Sequence, residues 1–278
     1  MELTLPIFQD LTLSITDKPD ERKVYPTARL QKGLRMNSRG LDLTEEAVGF
    51  GLPVLKKGLQ TIFPGSVRLD LLHRDSTRVV TAIYSMNLVE KIGRPDKASQ
   101  KSRLLYAAKN TLAAFIRRFP LMRTPLTVLS SGLRGLFGWE TTYEEAGFRY
   151  EIRMVYTVNE REGILFVETG PASYPLETVT ELIIMNEQGA HFFDQYRDSS
   201  GARLSGKEIG CWDEVCAEEA SFASSTHGVA FYLPRVAEAR LFRGRELVGS
   251  RLAWAGFGYS QPAAVRGPSY TVRFEKLP

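Results

Sequence analysis

The stretch TELIIMNEQGAHFFDQYRDSSG, Thr180 to Gly201, brings acids, a histidine, a tyrosine and an arginine within a few residues of one another. A histidine so placed can move a proton near neutral pH. Two apolar-rich runs, ELIIMN and AHFFDQYRD, flank the turn-like NEQG, which predicts a hairpin. Strand alternation then sets His191, Phe193, Gln195 and Arg197 on one face and Phe192, Asp194, Tyr196 and Asp198 on the other. Same-side positions along a strand recur about every 6–7 Å. His191, Gln195 and Arg197 therefore form a row, with Tyr196 beside it, suited to sugar hydroxyls or a carboxylate. The bland alternative is a solvated sheet face with Phe192 and Tyr196 buried beneath it. Asp194 falls among those inward aromatics, where a carboxylate must find partners or change its pKa. It is either a member of a structural network or a functional acid.

Other motifs fail on their chemistry. GARLSGKE, Gly201 to Glu208, has the glycine spacing and the lysine of a phosphate-binding loop, but Glu208 stands where a hydroxyl should meet magnesium. Its surroundings also read as antiparallel strand, and a polar loop is expected. VGFGLPVL lacks the third glycine of a dinucleotide fingerprint and carries Pro53, so a bulged or looping apolar segment fits better, with Phe50, Leu52, Ile62 and Phe63 expected in the core and the rim of a ligand cleft as the alternative. No Gly-x-Ser-x-Gly elbow exists, and His73 and His227 fall at strand ends or turns. Cys211 and Cys216, with no further ligands nearby, make no zinc site and read as buried or half-buried thiols. No metal and no cofactor is expected, and no motif names a reaction.

The elements that position these residues speak mostly in a period of two. In RYEIRMVYTV, Tyr150, Ile152, Met154, Tyr156 and Val158 alternate with polar side chains, and NEREG then ILFVETG complete a hairpin. ASFAS–STHG–VAFYLP reads as a second hairpin and ARLF–RGR–ELVGSRLAWAGF as a third, with SYTVRFEKL closing the chain. Further strands are expected in LTLPIFQDLTLSI, PTARLQKGLRM, SVRLDLL and TRVVTAIYSMNLV. One segment breaks the pattern. From Ser99 to Phe119, apolar residues at spacings of three and four predict an amphipathic helix stopped by Pro120.

A chain of 278 residues that is 43% hydrophobic and 24% charged excludes general disorder. Residues 1–140 carry 22 Lys and Arg against 13 Asp and Glu, and residues 141–278 carry 14 against 19. Between Lys91 and Arg123 nine basic residues face the one acid Asp96, so Lys101, Lys109, Arg117 and Arg118 could meet an anionic surface. The basic stretch lacks interleaved aromatics, which argues against nucleic acid. The first residues show no basic stretch followed by an apolar run, and nowhere do about 18 apolar residues occur together, so a cytoplasmic, non-spanning chain is expected.

Together these readings predict a mainly β protein: one domain over 1–278, a large antiparallel β-sandwich or barrel-like sandwich, with a helical insertion at 95–140. The expected function is carbohydrate binding or carbohydrate chemistry, with a polar or anionic ligand at His191, Gln195, Arg197, Tyr196 and Asp194. The alternative is a non-enzymatic carrier of lipid or another apolar molecule whose basic helix meets a membrane surface.

Overall fold

A computed structural model describes residues 1–19, 30–58, 60–74, 77–93, 140–248, 252–264 and 266–277. The predicted helical insertion, with Lys101, Lys109, Arg117 and Arg118, lies outside the described residues. Among those described, the structure is nearly all antiparallel strand. Four strands, β1 (Glu2–Phe8), β2 (Leu11–Thr16), β3 (Arg35–Ser38) and β4 (Leu41–Asp42), form a small sheet in sequence order.

The other fourteen form one sheet. They are β5 (Gly49–Lys57), β6 (Gln60–Arg74), β7 (Thr77–Gly93), β8 (Glu140–Asn159), β9 (Ile164–Ala172), β10 (Glu181–Gln188) and β11 (Gln195–Asp198). Then come β12 (Arg203–Ser205), β13 (Cys211–Val215), β14 (Glu219–Ser224), β15 (Val229–Pro234), β16 (Arg240–Val248), β17 (Leu252–Pro262) and β18 (Ser269–Lys276). Their order is β12-β11-β14-β15-β18-β9-β8-β7-β6-β5-β10-β17-β16-β13.

The two edges of this sheet, β12 and β13, are consecutive in the chain and joined only by residues 206–210. Laid flat, fourteen strands would hold their edges about 60 Å apart. The connection spans at most about 20 Å. The sheet must therefore roll over on itself, and the contacts across the roll show how. Phe257 of β17 meets Phe222 of β14 at 5.0 Å between ring centroids, and Phe50 of β5 meets Phe231 of β15 at 5.2 Å. The Arg243 guanidinium of β16 lies 4.1 Å over the Tyr196 ring of β11. The apolar side chains of the small sheet, Leu5, Ile7, Leu13, Ile15 and Met36, join the same core.

Alternation explains most of the pairing. Ile152, Met154, Tyr156 and Val158 are fully buried on one side of β8, as their period-two spacing demands. The β8–β9 and β14–β15 hairpins form as predicted. The third does not turn at Arg243–Arg245: β16 runs unbroken through that tripeptide and pairs with β17 from Arg240↔Ser260 to Val248↔Leu252. Gly244 is tolerated mid-strand because an aromatic ring covers it, as described below.

Pro53 sits within β5 opposite Ile184 of β10, and because β6 pairs only with Leu55–Lys57 the proline takes no donor from the β5–β6 ladder. The expected bulge is present at Gly51, where the β10 register shifts and φ is 73°. It serves an interior polar network. Asn186 Oδ1 accepts the Gly51 amide at 3.1 Å and the Tyr270 hydroxyl at 2.8 Å. Tyr156 donates to the Gly51 carbonyl at 2.8 Å and sits 3.1 Å from the Tyr84 hydroxyl. Burial holds these phenols neutral by pushing their pKa values well up. Every member has a partner, so the network fixes the core's geometry.

Candidate functional site

The Thr180–Gly201 segment is not a hairpin. β10 pairs with β5 and β17, whereas β11 pairs with β12 and β14. Residues 189–194 form the turn-rich crossing between them, in which Phe192 and Phe193 amides both return to the Gly189 carbonyl. That turn breaks the alternation. Phe193 and Tyr196 are both buried, while Phe192 is half-exposed and stands edge-on to His227 at 4.9 Å. The aromatic assignment from sequence is thus reversed at Phe192 and Phe193.

The five singled-out residues do not share one row. His191 is exposed, and its Nδ1 lies 2.9 Å from Glu45 Oε2 in the loop after β4. Thr44 of the same loop bonds Gln188, and the Gly189 amide donates to the Leu43 carbonyl at 2.8 Å. This crossing therefore latches the small sheet to the large one. Gln195 and Arg197 share a face of β11 four or more residues further on. Tyr196 is 1% exposed, donates to Asp198 Oδ2 at 2.7 Å and lies under Arg243. Asp194 sits near Arg245, whose guanidinium is pulled down by burial and held up by that carboxylate. Arg245 also donates to the Ala190 carbonyl at 2.9 Å. Asp198 caps its own turn, accepting from the Ser200 amide, the Ser200 hydroxyl and the Ala202 amide.

The loop resembling a phosphate cradle is closed by its own residues. Glu208 Oε2 accepts both the amide and the hydroxyl of Ser205 at 3.0 Å. Among the described residues no group of three or more His, Cys, Asp or Glu is arranged to hold a metal ion.

A different arrangement stands out on the outer face of β10, β17, β16 and β13. Along β17, Ala253, Ala255, Phe257 and Tyr259 point into the core, so Trp254, Gly256, Gly258 and Ser260 point away from it. The outward positions of β16 beside them are Glu246, Gly244, Phe242 and Arg240. On edge strand β13 the register slips between Cys211 and Asp213, and the bulged residue is Trp212. Its φ is 58°, a left-handed conformation uncommon outside glycine.

The bulge re-aims the indole across the sheet. A Cβ on Gly258 would stand 2.4 Å from the Trp212 ring, and one on Gly244 would stand 2.4 Å from the Trp254 ring. The glycines are what let the two indoles lie flat on the strands. Their centroids are 5.4 Å apart, and Phe242 lies 6.5 Å from Trp212. Trp254 is buried, so Trp212 is the half-exposed ring of the pair.

Polar groups border this platform. Trp254 Nε1 donates to Glu246 Oε2 at 3.3 Å. Glu187, on the outward side of β10, is buried between Gly49 and Gly256 on the neighbouring strands. Burial, with the charge of Glu246 adding to it, raises its carboxyl to about 8, so it is mainly protonated at neutral pH. Ser260 donates to Glu181, and the Arg240 guanidinium lies 5.1 Å over the Phe242 ring. Beyond Arg240 opens a cleft of about 600 Å³ between β13, β16, the end of β17 and the Arg235–Ala239 turn. Cys216 is exposed on its wall and Cys211 half-buried in β13, so the expectation of cover holds for Cys211 and fails for Cys216.

Sequence reasoning missed this platform because its parts are spread over β10, β13, β16 and β17. The signal available was a pair of tryptophans and several glycines in strands that otherwise pack well.

No family model matches the chain, and no curated protein matches it. Two solved structures of the alpha-N-acetylgalactosaminidase NagBb from Bifidobacterium bifidum align over the whole chain at 10% identity, with TM-scores of 0.49 and 0.48. One is a Gal-NHAc-DNJ complex and the other a quadruple mutant. The chain spans about a third of their length, 36% of each. Among the described residues no helix is long and apolar enough to cross a membrane.

Proposed function

We propose that this chain is a carbohydrate-binding protein, a single sandwich-like β unit over residues 1–278, whose ligand lies on the outer face of β10, β17, β16 and β13. One observation carries the reading: Trp212, held left-handed at an edge-strand bulge, presents a half-exposed indole flat on the sheet beside Trp254. Backbone strain of this kind costs on the order of 1–3 kcal/mol and persists where the surroundings enforce it, often at ligand sites. A flat indole offers the apolar face of a sugar ring a large rigid contact. Carboxyl groups at the rim accept from the ring's hydroxyls. Glu246 and Glu181 supply acceptors.

The interior offers less to the alternative of an apolar carrier. Phe222, Phe231 and Phe257 pack against one another there at centroid distances of 5.0 to 6.1 Å. Gln195 and Arg197 on β11, with His191 on the neighbouring crossing, are retained as a second location for the same ligand class.

The test is a glycan panel of neutral and acidic oligosaccharides read with the native protein, Trp212→Ala and His191→Ala. Loss of one stacked ring, worth on the order of 1.4 kcal/mol, weakens binding about tenfold. The expected result is that loss for Trp212→Ala, with His191→Ala unchanged. Weakening by His191→Ala alone moves the site to the β11 edge. If the native protein retains nothing, or if Trp212→Ala only lowers stability, the indole is a cover for the glycines and the reading fails.

A further inference from the structure

We propose that the cleft beyond Arg240 is a second subsite, so that the site takes an uncharged chain of sugars and not a single ring. This rests on the carbohydrate reading of the Trp212–Trp254 platform. The outward positions of β16, from Glu246 through Gly244 and Phe242 to Arg240, run in one line from the tryptophans to the cleft. The six residue steps between them cover about 20 Å. A single sugar ring over Trp212 leaves most of that length bare.

Arg240 joins the two parts. Its guanidinium packs over Phe242 at the end of the platform, and the same side chain lines the cleft with Ser260 of the adjacent strand. The polar lining is mixed, with Arg235 and Arg240 as donors and Glu214, Glu218 and Glu238 as acceptors. Arg235 and Glu218 stand 3.8 Å apart, and both side chains are more than half exposed. Donors and acceptors interleaved in this way match neighbouring hydroxyls, which both donate and accept. A single-signed ligand is disfavoured. Three carboxylates meet an acidic sugar here, with Glu181 and Glu246 on the platform side, against two guanidinium groups. A volume of about 600 Å³ falls within the range of small-molecule sites.

The experiment measures affinity by calorimetry for malto-, cello-, chito- and galacto-oligosaccharides of one to six units. It uses the full chain, Trp212→Ala, and Ala237→Trp, in which an indole is placed on the exposed wall of the cleft. In at least one series affinity rises about tenfold or more between two and five units. Ala237→Trp abolishes that rise and leaves the affinity for the shorter members as it was. Trp212→Ala weakens every length. Affinity independent of length, or a rise that survives in Ala237→Trp, overturns the second subsite while the platform stands. Acidic versions of the same chains binding as tightly as neutral ones overturn the selection for uncharged ligands. Failure of every series to bind the native chain overturns the platform and the subsite together.

Discussion

Glu187→Gln converts the buried carboxyl of β10 to a neutral isostere of its protonated form. In the folded chain this group titrates near 8, against an ordinary value of 4.5, because it is buried and because Glu246 adds a like charge. Between those two pH values the folded state holds a proton that the unfolded state has released. Stability therefore falls as pH rises through this window, by about 1.4 kcal/mol per pH unit. The loss reaches about 3 kcal/mol at pH 7 and about 5 kcal/mol once pH has passed 8. Glutamine carries no such burden. Urea denaturation of both proteins at pH 5.5, 7 and 8.5 reads the effect directly. The stability of Glu187→Gln relative to the native chain rises with pH, by about 3 kcal/mol from pH 5.5 to 8.5. Parallel pH profiles would refute the reasoning. A glutamine variant that loses ground as pH rises would show instead that the carboxylate is ionised and held by a partner. Glu246→Gln provides the control, since removing the like charge narrows the window and reduces the total loss by about pH 8.5.

The bulge at Gly51 gives a packing prediction. Gly51→Ala imposes a left-handed alanine at φ 73° and sets its Cβ 2.5 Å from the Tyr156 ring, and strain plus overpacking costs about 2–5 kcal/mol. Gly58→Ala, at φ 60° with open space around it, costs only the conformational part, about 1–2 kcal/mol, and equal losses in urea midpoints would refute the packing contribution. His191→Ala removes an exposed side-chain contact with Glu45 and shifts stability by less than about 1 kcal/mol. A larger drop in thermal midpoint would mean that the latch between the two sheets depends on it.

Where one face of a strand is buried along its whole length, the sequence is a faithful guide. Ile152 to Val158 in β8 alternate in type and in burial alike, and β8–β9 and β14–β15 follow from local punctuation. Long-range pairing was not legible. Nothing local to ELIIMN says that its neighbours are β5 and β17, more than 60 residues away on either side, and the adjoining AHFFDQYRD made a hairpin look complete. Phe192 and Phe193 exchanged roles because a tight turn at Gly189 replaces the assumed strand. Arg243-Gly244-Arg245 reads as a turn by composition, yet the Trp254 ring over Gly244 supplies the packing that the missing side chain does not. The candidate site was hidden for the same reason. Trp212 and Trp254 are 42 positions apart in the chain and become neighbours only through the β13–β16–β17 ladder.

The placement of that site follows from how the large sheet ends. A sheet of fourteen strands has two edges, each a row of unpaired backbone groups. The short connection of residues 206–210 brings β12 and β13 near one another without pairing them. Inside the roll the gap is filled by Arg243 over Tyr196, a contact that ties β16 to β11. Outside it, β13 must stop further pairing, and a bulge does so by twisting the strand and displacing a residue. Here the displaced residue is Trp212, and the direction left to it is over Gly258 of β17, beside the Trp254 ring that covers Gly244 of β16. The edge defect and the aromatic platform are thus one feature. Restoring regular pairing on β13, by deleting Trp212, should lengthen the β13–β16 ladder and remove the presented ring together. Hydrogen exchange would then slow at Cys211–Val215 while glycan retention falls. Slower exchange with retention intact would separate the bulge from the binding surface.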